Sequence, residues 1–486
     1  RGARRIDHDL ADQPALQAEL QSMLGRIYFR LGLYAQADAL QRDAIALLQR
    51  DGAQAPLAAR TLYERAETLA ERGDFDTAAR LADAAVAQLE APAPPAELVR
   101  ALCARATVEI DRRRFGDAAR FARRALTIAR AARADAGLLA DTLLVAGNAA
   151  WGLPALDEAE ADYRAALALP VASSGDDDIR RMRITENLVL VLNGKSRYVD
   201  ALALAQQAAA SSRALLGDEH PLTLRCVREL GLVQYHLGRY RDARATLAAV
   251  VDTQRRVLDA DDPALAGSLV NYGLALADDG ELGDAERAFA EAGHLWEQRY
   301  GHDYPGSITA LGDLGYVHLL QRRIGEADRE LGEAVALERR HGAPSAIEVA
   351  RLGEIKRLAG DVGAARTLGR EALGIAVRES GEASRFAALA HYDLALAQRD
   401  GGDSAAAAAE LRAALASIDA YLPQVEHPLA ANIRIDLADL LAGEPGALAE
   451  RRTLLGAAVA LRTAFFGVDD ARTRDARARR AALPAD

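Results

Sequence analysis

The sequence predicts an all-α solenoid of about eleven antiparallel helix pairs. Three observations predict it: a short motif that returns about every 42 residues, apolar residues at helical spacing on both sides of each copy, and an abundance of Ala and Leu. Ala and Leu favour helices. A constant period of this length indicates that one helical unit is stacked many times along the chain.

The returning motif places a small residue shortly after a turn. In "GRYRDAR", residues 238–244, that residue is Ala243. Its equivalents recur at steps of 38 to 42 residues, and a second small residue follows most of them seven positions later, with Val250 as a departure in the sixth copy. The ten equivalent alanines are Ala37, Ala78, Ala118, Ala159, Ala201, Ala243, Ala285, Ala327, Ala365 and Ala407.

A glycine or alanine often lies twelve residues before each of these alanines. Gly231 and Gly273 are examples, and Val189 is an exception. A glycine inside a helix costs about 1 kcal/mol relative to alanine, so its regular return needs a structural reason. We expect that the two helices of each unit approach closely at this position, where a larger side chain would force them apart.

The loops between units are periodic as well. Pro221, Pro263 and Pro305 lie 42 residues apart, and Pro428 repeats the pattern. Proline suits the first turn of a helix, where its missing N–H is not needed, so each is expected near the start of a helix. We interpret His220 and His427, which precede two of these prolines, as structural loop residues and not as metal ligands.

The period also predicts the domain organisation. Residues 1–17 form a leading helix or N-terminal cap, residues 18–429 form ten repeats, and residues 430–486 form a degenerate eleventh repeat and a C-terminal cap. The chain does not begin with Met, and its first residues have a helical pattern, so we expect an excised part of a longer protein. The predicted repeats start near residues 18, 59, 99, 140, 182, 224, 266, 308, 346 and 388.

The pattern Leu/small-x-x-Tyr/Leu, then Gly-x-Tyr/Phe-x-x-Ala, then a second Ala resembles the tetratricopeptide repeat. The 42-residue period and loops such as "LGDEHP" (216–221) resemble its longer, kinesin-light-chain-type variant. The resemblance covers essentially the whole chain. It implies a right-handed superhelix whose first helices line a concave groove for a protein or peptide ligand.

The N-terminal sequence "RGARRIDHDLADQPALQAEL" resembles the start of the tetratricopeptide region of bacterial serine/threonine protein kinases. The chain itself contains no Gly-rich phosphate loop, HRD-type loop or DFG motif. The resemblance implies a sensory or regulatory region of a larger bacterial signalling protein. The alternative is an autoinhibitory or dimerising region of a kinase, so self-association is a further expectation. The expected location is the cytoplasm, or the periplasm if a membrane helix precedes the chain.

Composition argues against several function classes. The net charge of −11 disfavours nucleic-acid binding, which needs a basic face. No apolar run reaches the length needed to cross a bilayer, so we expect no membrane insertion. Cys103 and Cys226 are isolated, which supports neither a disulfide framework nor a zinc site. "NGKS" (193–196) lacks the first glycine of a P-loop. We therefore predict a non-catalytic chain with no cofactor and no metal.

The tetratricopeptide resemblance, counted from each post-turn alanine, implies a set of groove residues. Arginine and aromatic side chains there would attract acidic or extended peptides. The alternative is that several of these arginines pair with glutamates on neighbouring helices. The implied groove residues are Arg26, Phe29, Arg30, Arg60, Tyr63, Arg100, Asn148, Trp151, Arg183, Asn187, Asn193, Arg225, Arg228, Tyr235, Tyr316, Arg357 and Tyr392.

Three of these residues also match the carboxylate clamp by which some tetratricopeptide domains hold peptide C-termini. They are Asn148, Asn187 and Arg225. The other two clamp positions hold Leu144 and Glu229, where the family pattern has basic residues. Because Glu229 would repel a carboxylate, we expect no working clamp.

Overall fold

The computed structural model describes residues 10, 13–30, 32–51, 55–90, 94–153, 155–170, 175–259, 261–422 and 426–484. Within these residues the chain forms 23 α-helices and no strand, so the all-α prediction is confirmed. Most of the predicted leading helix, residues 1–17, lies outside the described residues. The first described helix begins at Pro14.

The helices are short and similar in length. In chain order they are α1 (Pro14–Arg30), α2 (Tyr34–Asp51), α3 (Ala55–Glu71), α4 (Phe75–Leu89), α5 (Pro95–Asp111), α6 (Phe115–Ala131), α7 (Ala136–Gly152), α8 (Leu156–Leu167), α9 (Gly175–Gly194), α10 (Tyr198–Leu216), α11 (Pro221–His236), α12 (Tyr240–Val257), α13 (Ala264–Asp279), α14 (Leu282–Tyr300), α15 (Pro305–Leu320), α16 (Ile324–Arg340), α17 (Ala346–Leu358), α18 (Val362–Ser380), α19 (Arg385–Asp400), α20 (Ser404–Tyr421), α21 (Pro428–Leu440), α22 (Leu448–Phe466) and α23 (Ala471–Ala481).

A tight turn joins the two helices of most pairs, whereas seven residues separate α21 from α22. Between α11 and α12 only Leu237, Gly238 and Arg239 intervene. Gly238 has a φ of +73°, a conformation that glycine adopts without strain. The Arg239 N–H donates to the Gln234 carbonyl at 2.9 Å, which satisfies one of the carbonyls at the helix end. The motif "GRYRDAR" is therefore the turn of a helical hairpin.

The small residues that mark the period lie in the core. All ten post-turn alanines are at most 2% exposed, and Val250, the departure in the sixth copy, is 1% exposed. Consecutive helices pack along these alanines because a methyl group fills the space between close backbones without leaving a void. The core is thus a continuous series of small contacts.

The recurring glycines lie under a side chain of the partner helix. A Cβ on Gly231 would lie 2.6 Å from Leu247, and one on Gly273 would lie 2.8 Å from the Phe289 ring. In both cases the covering residue comes sixteen positions later. The predicted close approach of the helices at these glycines is confirmed.

A histidine caps the first helix of two pairs, α11 and α21. Pro221 and Pro428 begin α11 and α21. The Nδ1 atoms of His220 and His427 accept hydrogen bonds from the Leu222 and Leu429 N–H groups, each at 3.1 Å. The structural interpretation of these two histidines is confirmed.

The chain divides into two compact units, Arg1–Lys195 and Ser196–Asp486. The boundary falls in the turn between α9 and α10, the two helices of the fifth predicted repeat. Each unit is a stack in which successive helices pack side by side. None of the described helices combines the length and apolarity required of a membrane span.

We expect Gly273→Ala to destabilise the second unit by about 1–3 kcal/mol, because the Phe289 ring is held in the core and cannot yield. Thermal unfolding followed by circular dichroism at 222 nm would show a lower Tm. The matched control is Gly332→Ala in α16, where an added Cβ meets nothing within 4 Å. That control should gain up to about 1 kcal/mol from helix propensity. Equal Tm changes in the two variants would contradict the close-approach account.

Candidate functional site: a cavity in the second unit

The second unit contains an open cavity of about 770 Å³. Its wall comes from α11, α13, α15, α17, α19 and α21, with contributions from the end of α22 and the start of α23. These are mainly the first helices of successive pairs. The volume lies within the range of small-ligand and peptide pockets.

One side of the cavity is formed where the C-terminal helices return to the early helices of the unit. Phe466 at the end of α22 is 7% exposed and packs in one cluster with Tyr235 and Tyr240. The Arg472 guanidinium lies 3.5 Å from the centroid of the Phe466 ring. Its Nη1 donates to the backbone carbonyl of Asp278 at 3.2 Å. Contacts between residues nearly 200 positions apart thus close the wall.

Asp278 on α13 joins several of these helices. Its two carboxylate oxygens accept hydrogen bonds from the hydroxyls of Tyr235 on α11 and Tyr316 on α15, each at 2.9 Å. Arg385 on α19 lies 3.9 Å from the same carboxylate and donates to the Tyr235 hydroxyl at 3.3 Å. One buried carboxylate therefore connects four helices across the cavity.

A second buried group of charges continues the network. The Arg351 guanidinium on α17 contacts Asp313 at 3.0 Å and Glu348 at 3.2 Å. It also lies 3.8 Å above the ring of Tyr316. Burial raises the pKa of Asp313 and Arg351 opposes the rise. In this arrangement one guanidinium compensates two buried carboxylates.

Asp393 on α19 lines the cavity and is half-buried. Within the described residues its carboxylate makes no hydrogen bond and no ion pair. Burial first, and then the charge of Glu354, raise the pKa of Asp393 well above its usual range, while Arg357 and Arg351 oppose the rise. Glu354 is itself paired with Arg357 at 2.6 Å. Asp393 is thus a cavity carboxylate without a bonded cation in the described part of the chain.

Two histidines of the wall are neutral. Burial and the charge of Arg385 lower the pKa of His236 to about 3 and that of His427 well below its usual range. Because His427 Nδ1 accepts a backbone N–H, its ring proton lies on Nε2. This Nε2 is buried and has no hydrogen-bond partner among the described residues. It is an unused donor in the cavity wall.

The structure brings together three of the implied groove residues of this unit. Tyr235 and Tyr316 meet at Asp278, and Tyr392 donates to Asp436 at 2.5 Å; all three line the cavity. The repeat pattern does not mark Asp278, Arg385, Asp393 or His427 as site residues. Asp278 and Arg385 lie at helix ends, outside the positions that the family pattern assigns to the groove.

The implied arginines of the second unit do not line the cavity. Arg228 pairs with Glu229 at 3.1 Å, and Arg225 is exposed on α11. Arg357 pairs with Glu354 and with Asp400. For Arg228 and Arg357, the alternative of internal pairing describes the structure.

In the first unit, several implied groove residues also contact carboxylates on neighbouring helices. Arg26 contacts Glu64 at 3.4 Å, and Arg60 contacts Glu97 at 2.7 Å. The Tyr63 hydroxyl donates to the same Glu97 at 3.1 Å. Burial raises the pKa of Glu64 to about 7, and Arg26 opposes the rise. These arginines are occupied by internal carboxylates.

The clamp asparagines are occupied as well. Asn148 Oδ1 accepts hydrogen bonds from the Tyr163 hydroxyl at 2.7 Å and from Asn187 Nδ2 at 2.8 Å. Asn193 has a buried amide with no partner among the described residues. The remaining implied residues of this unit are Phe29, packed on Tyr34 at 5.6 Å, the exposed Arg100, Trp151 and Arg183, and Arg30, whose side chain lies outside the described part.

Comparison with known proteins gives two sequence matches to one family. A tetratricopeptide repeat family model matches residues 180–256, and a second model of this repeat matches residues 18–50. The chain therefore contains tetratricopeptide repeats. Among curated proteins, no sequence match was found.

Solved structures similar to this tetratricopeptide-repeat chain include two Rap proteins. The apo form of RapI has 13% identity and a TM-score of 0.56, covering 74% of this chain and 97% of its own. A Rap protein complexed with competence and sporulation factor has 14% identity and a TM-score of 0.56, covering 76% of this chain and 99% of its own. A putative kinesin light chain from Podosopora anserina with TPR-like repeats has 20% identity and a TM-score of 0.35, covering 41% of this chain and 95% of its own. The Rap matches show a shared helical solenoid fold.

We expect Asp278→Ala to destabilise the second tetratricopeptide unit by about 2–4 kcal/mol, because it leaves two tyrosine hydroxyls and Arg385 without their carboxylate. Thermal unfolding of the variant would report the loss. The control Asp303→Ala removes an exposed partner of Arg340, at 3.4 Å, and should change stability by less than about 0.5 kcal/mol. If Asp278→Ala unfolds at the temperature of the control, Asp278 is not the link that holds the wall.

We expect Glu338→Gln to make the protein more stable at pH 8 than at pH 5, each relative to wild type. Burial raises the pKa of Glu338, a cavity residue whose carboxylate accepts the Ser345 N–H at 2.8 Å, to about 7. The folded chain therefore holds the proton more tightly than the unfolded chain, and stability falls as pH rises from the usual Glu range through about 7. Glutamine keeps the hydrogen bond without the charge.

At pH 8 the free energy of unfolding of Glu338→Gln should exceed that of wild type by about 1–2 kcal/mol. This is less than the full pKa shift corresponds to, because Glu338 retains solvent contact. At pH 5 the gain should be much smaller, because Glu338 in the folded protein is then protonated and, like glutamine, carries no charge. The measurement is Tm at the two pH values. An equal change at both would show that Glu338 is ionised in the folded protein.

Proposed function

We propose that this chain is a non-catalytic binding protein and that its second unit takes a peptide in extended form into the cavity. The observation that carries the proposal is the open cavity of about 770 Å³ that the first helices of successive repeats form. Solenoid proteins of this kind use the concave surface of the stack for binding.

The chemistry of the wall fits a peptide. Leu274, Leu319, Phe386 and Leu389 supply apolar surface. Polar groups between them can hydrogen-bond a peptide backbone. One of these is the exposed side chain of Asn432 on α21. A mostly apolar pocket with a few placed polar groups is typical of ligand sites. The fold of the Rap protein complexed with competence and sporulation factor supports this use of the solenoid.

Binding, and not catalysis, suits the state of the ionisable groups. Burial raises the pKa of Tyr235 and of Tyr316 above the usual tyrosine range, so both hydroxyls stay protonated. His236 and His427 stay neutral at physiological pH. These groups form fixed donors and acceptors, which suits the selection of a ligand. Membership of a bacterial signalling protein and linkage to a serine/threonine kinase stay predictions, which a longer coding sequence would test.

The test uses residues 1–486, a synthetic library of random octapeptides, and mass spectrometry of the peptides retained after gel filtration. We expect wild type to retain peptides, and Thr309→Trp to lose them by at least tenfold because indole would fill the cavity. Thr309 is exposed, lines the cavity, and bonds to the Pro305 carbonyl at 3.0 Å.

The matched control is Thr453→Trp, since Thr453 is an exposed helical threonine with the same type of bond, to the Ala449 carbonyl at 3.0 Å. It lies on α22 and does not line the cavity. Retention by both wild type and the control, with loss in Thr309→Trp, supports the proposal. No retention by wild type, or equal retention by Thr309→Trp, overturns it.

A further inference from the structure

We propose that the cavity selects a cationic peptide, with a ligand ammonium or guanidinium on Asp393 and a ligand carbonyl or carboxylate oxygen on His427 and Arg385. This inference rests on the proposed function and adds the chemical class of the ligand and its direction in the cavity. It differs from the acidic ligand that the sequence predicts.

The first support is the environment of Asp393. Its carboxylate lines the cavity, and the nearby Glu354 already has Arg357 as its partner. A carboxylate that is removed from bulk water without a cation is costly. A ligand cation would compensate Asp393 with a charge-assisted hydrogen bond, one of the stronger polar contacts in proteins. Asp393 therefore presents an unpaired carboxylate to a ligand in the cavity.

The second support is the opposite polarity near the start of α19. Arg385, the first residue of this helix, and His427 both line the cavity. His427 is 2% exposed, and its Nε2–H has no acceptor among the described residues. A buried donor without a partner destabilises the folded protein, since it has lost its hydrogen bonds to water. A peptide carbonyl or terminal carboxylate at this position would accept a hydrogen bond from the Nε2–H of His427.

The two positions lie at a distance that a short peptide spans. Arg385 and Asp393 are eight residues apart on one helix, which corresponds to about 12 Å along its axis. An extended peptide covers about 3.3–3.6 Å per residue. The cationic group and the acceptor oxygen of the ligand should therefore be separated by three to four residues.

The rest of the wall does not offer a second cation site of equal quality. Asp313 and Glu348 share Arg351 at 3.0 and 3.2 Å. Asp278 accepts hydrogen bonds from the hydroxyls of Tyr235 and Tyr316. These carboxylates are compensated inside the protein, so a ligand cation gains less there. Glu338 has no cation in the described part of the chain but accepts the Ser345 N–H at 2.8 Å, whereas the described residues give Asp393 neither a hydrogen bond nor an ion pair.

The experiment compares four synthetic octapeptide libraries on residues 1–486 by the same gel-filtration and mass-spectrometry readout. One contains Lys and Arg with free N-termini, and a second has acetylated N-termini. In the third and fourth, norleucine and citrulline replace Lys and Arg, again with free or acetylated N-termini. If acetylation abolishes peptide retention, the N-terminal ammonium is the cation. If replacement of Lys and Arg abolishes peptide retention, the cation is a side chain.

We expect wild type to prefer cation-containing peptides at least tenfold and Asp393→Asn to lose that preference. Asparagine has the same shape, and removal of an uncompensated carboxylate should leave Tm equal or higher, so a folding defect is separable from a binding defect. The control Asp303→Asn removes a charge at an exposed residue outside the cavity and should keep the preference.

His427→Asn tests the acceptor position. Asparagine can still cap α21 but lacks the Nε2–H, so affinity for the retained peptides should fall about tenfold. If wild type retains no peptide from any library, the proposed function fails. If it retains peptides with or without cations equally, or if Asp393→Asn keeps the preference, only the cationic assignment is overturned. Unchanged affinity of His427→Asn would overturn the acceptor assignment.

Discussion

The Asp278 carboxylate accepts hydrogen bonds from the hydroxyls of Tyr235 and Tyr316. The backbone carbonyl of the same residue accepts a hydrogen bond from the Arg472 guanidinium. Through these contacts a single residue on α13 connects the first helices of three successive repeats with the C-terminal end of the chain. Arg385 approaches the same carboxylate from α19. The cavity depends on this arrangement, because without it the early and late helices of the second unit have fewer polar contacts with one another.

The helical repeat could be predicted from the sequence because its determinants are local. Each post-turn alanine and each covered glycine acts between two helices that a turn of two or three residues connects, so a constant period is sufficient to locate them. Ala243 and Gly273 have the roles that their spacing indicates. Tyr235, Tyr316 and Tyr392 were found among the implied groove residues for the same reason, since they lie at repeated positions on the first helices.

The rest of the candidate site could not be predicted because it depends on contacts between distant repeats. Arg385 reaches Tyr235 over 150 positions, and Arg472 reaches Asp278 over 194. A pattern that repeats every 42 residues carries no information about which copies meet again in space. The same limit applies to charge, since the pattern places Arg60 and Arg357 in a groove but does not show that Glu97 and Asp400 neutralise them.

The packing of Pro428 and Phe466 against the first hairpin of the second unit also changes how this part of the protein can unfold. In an open solenoid each repeat contacts only its neighbours, so the terminal repeats fray first and the stack loses structure from its ends. A stack whose last helices contact its first has a protected terminus. Its repeats therefore share one cooperative transition, and deletion of the final helices weakens the earliest repeats of the unit as directly as the latest.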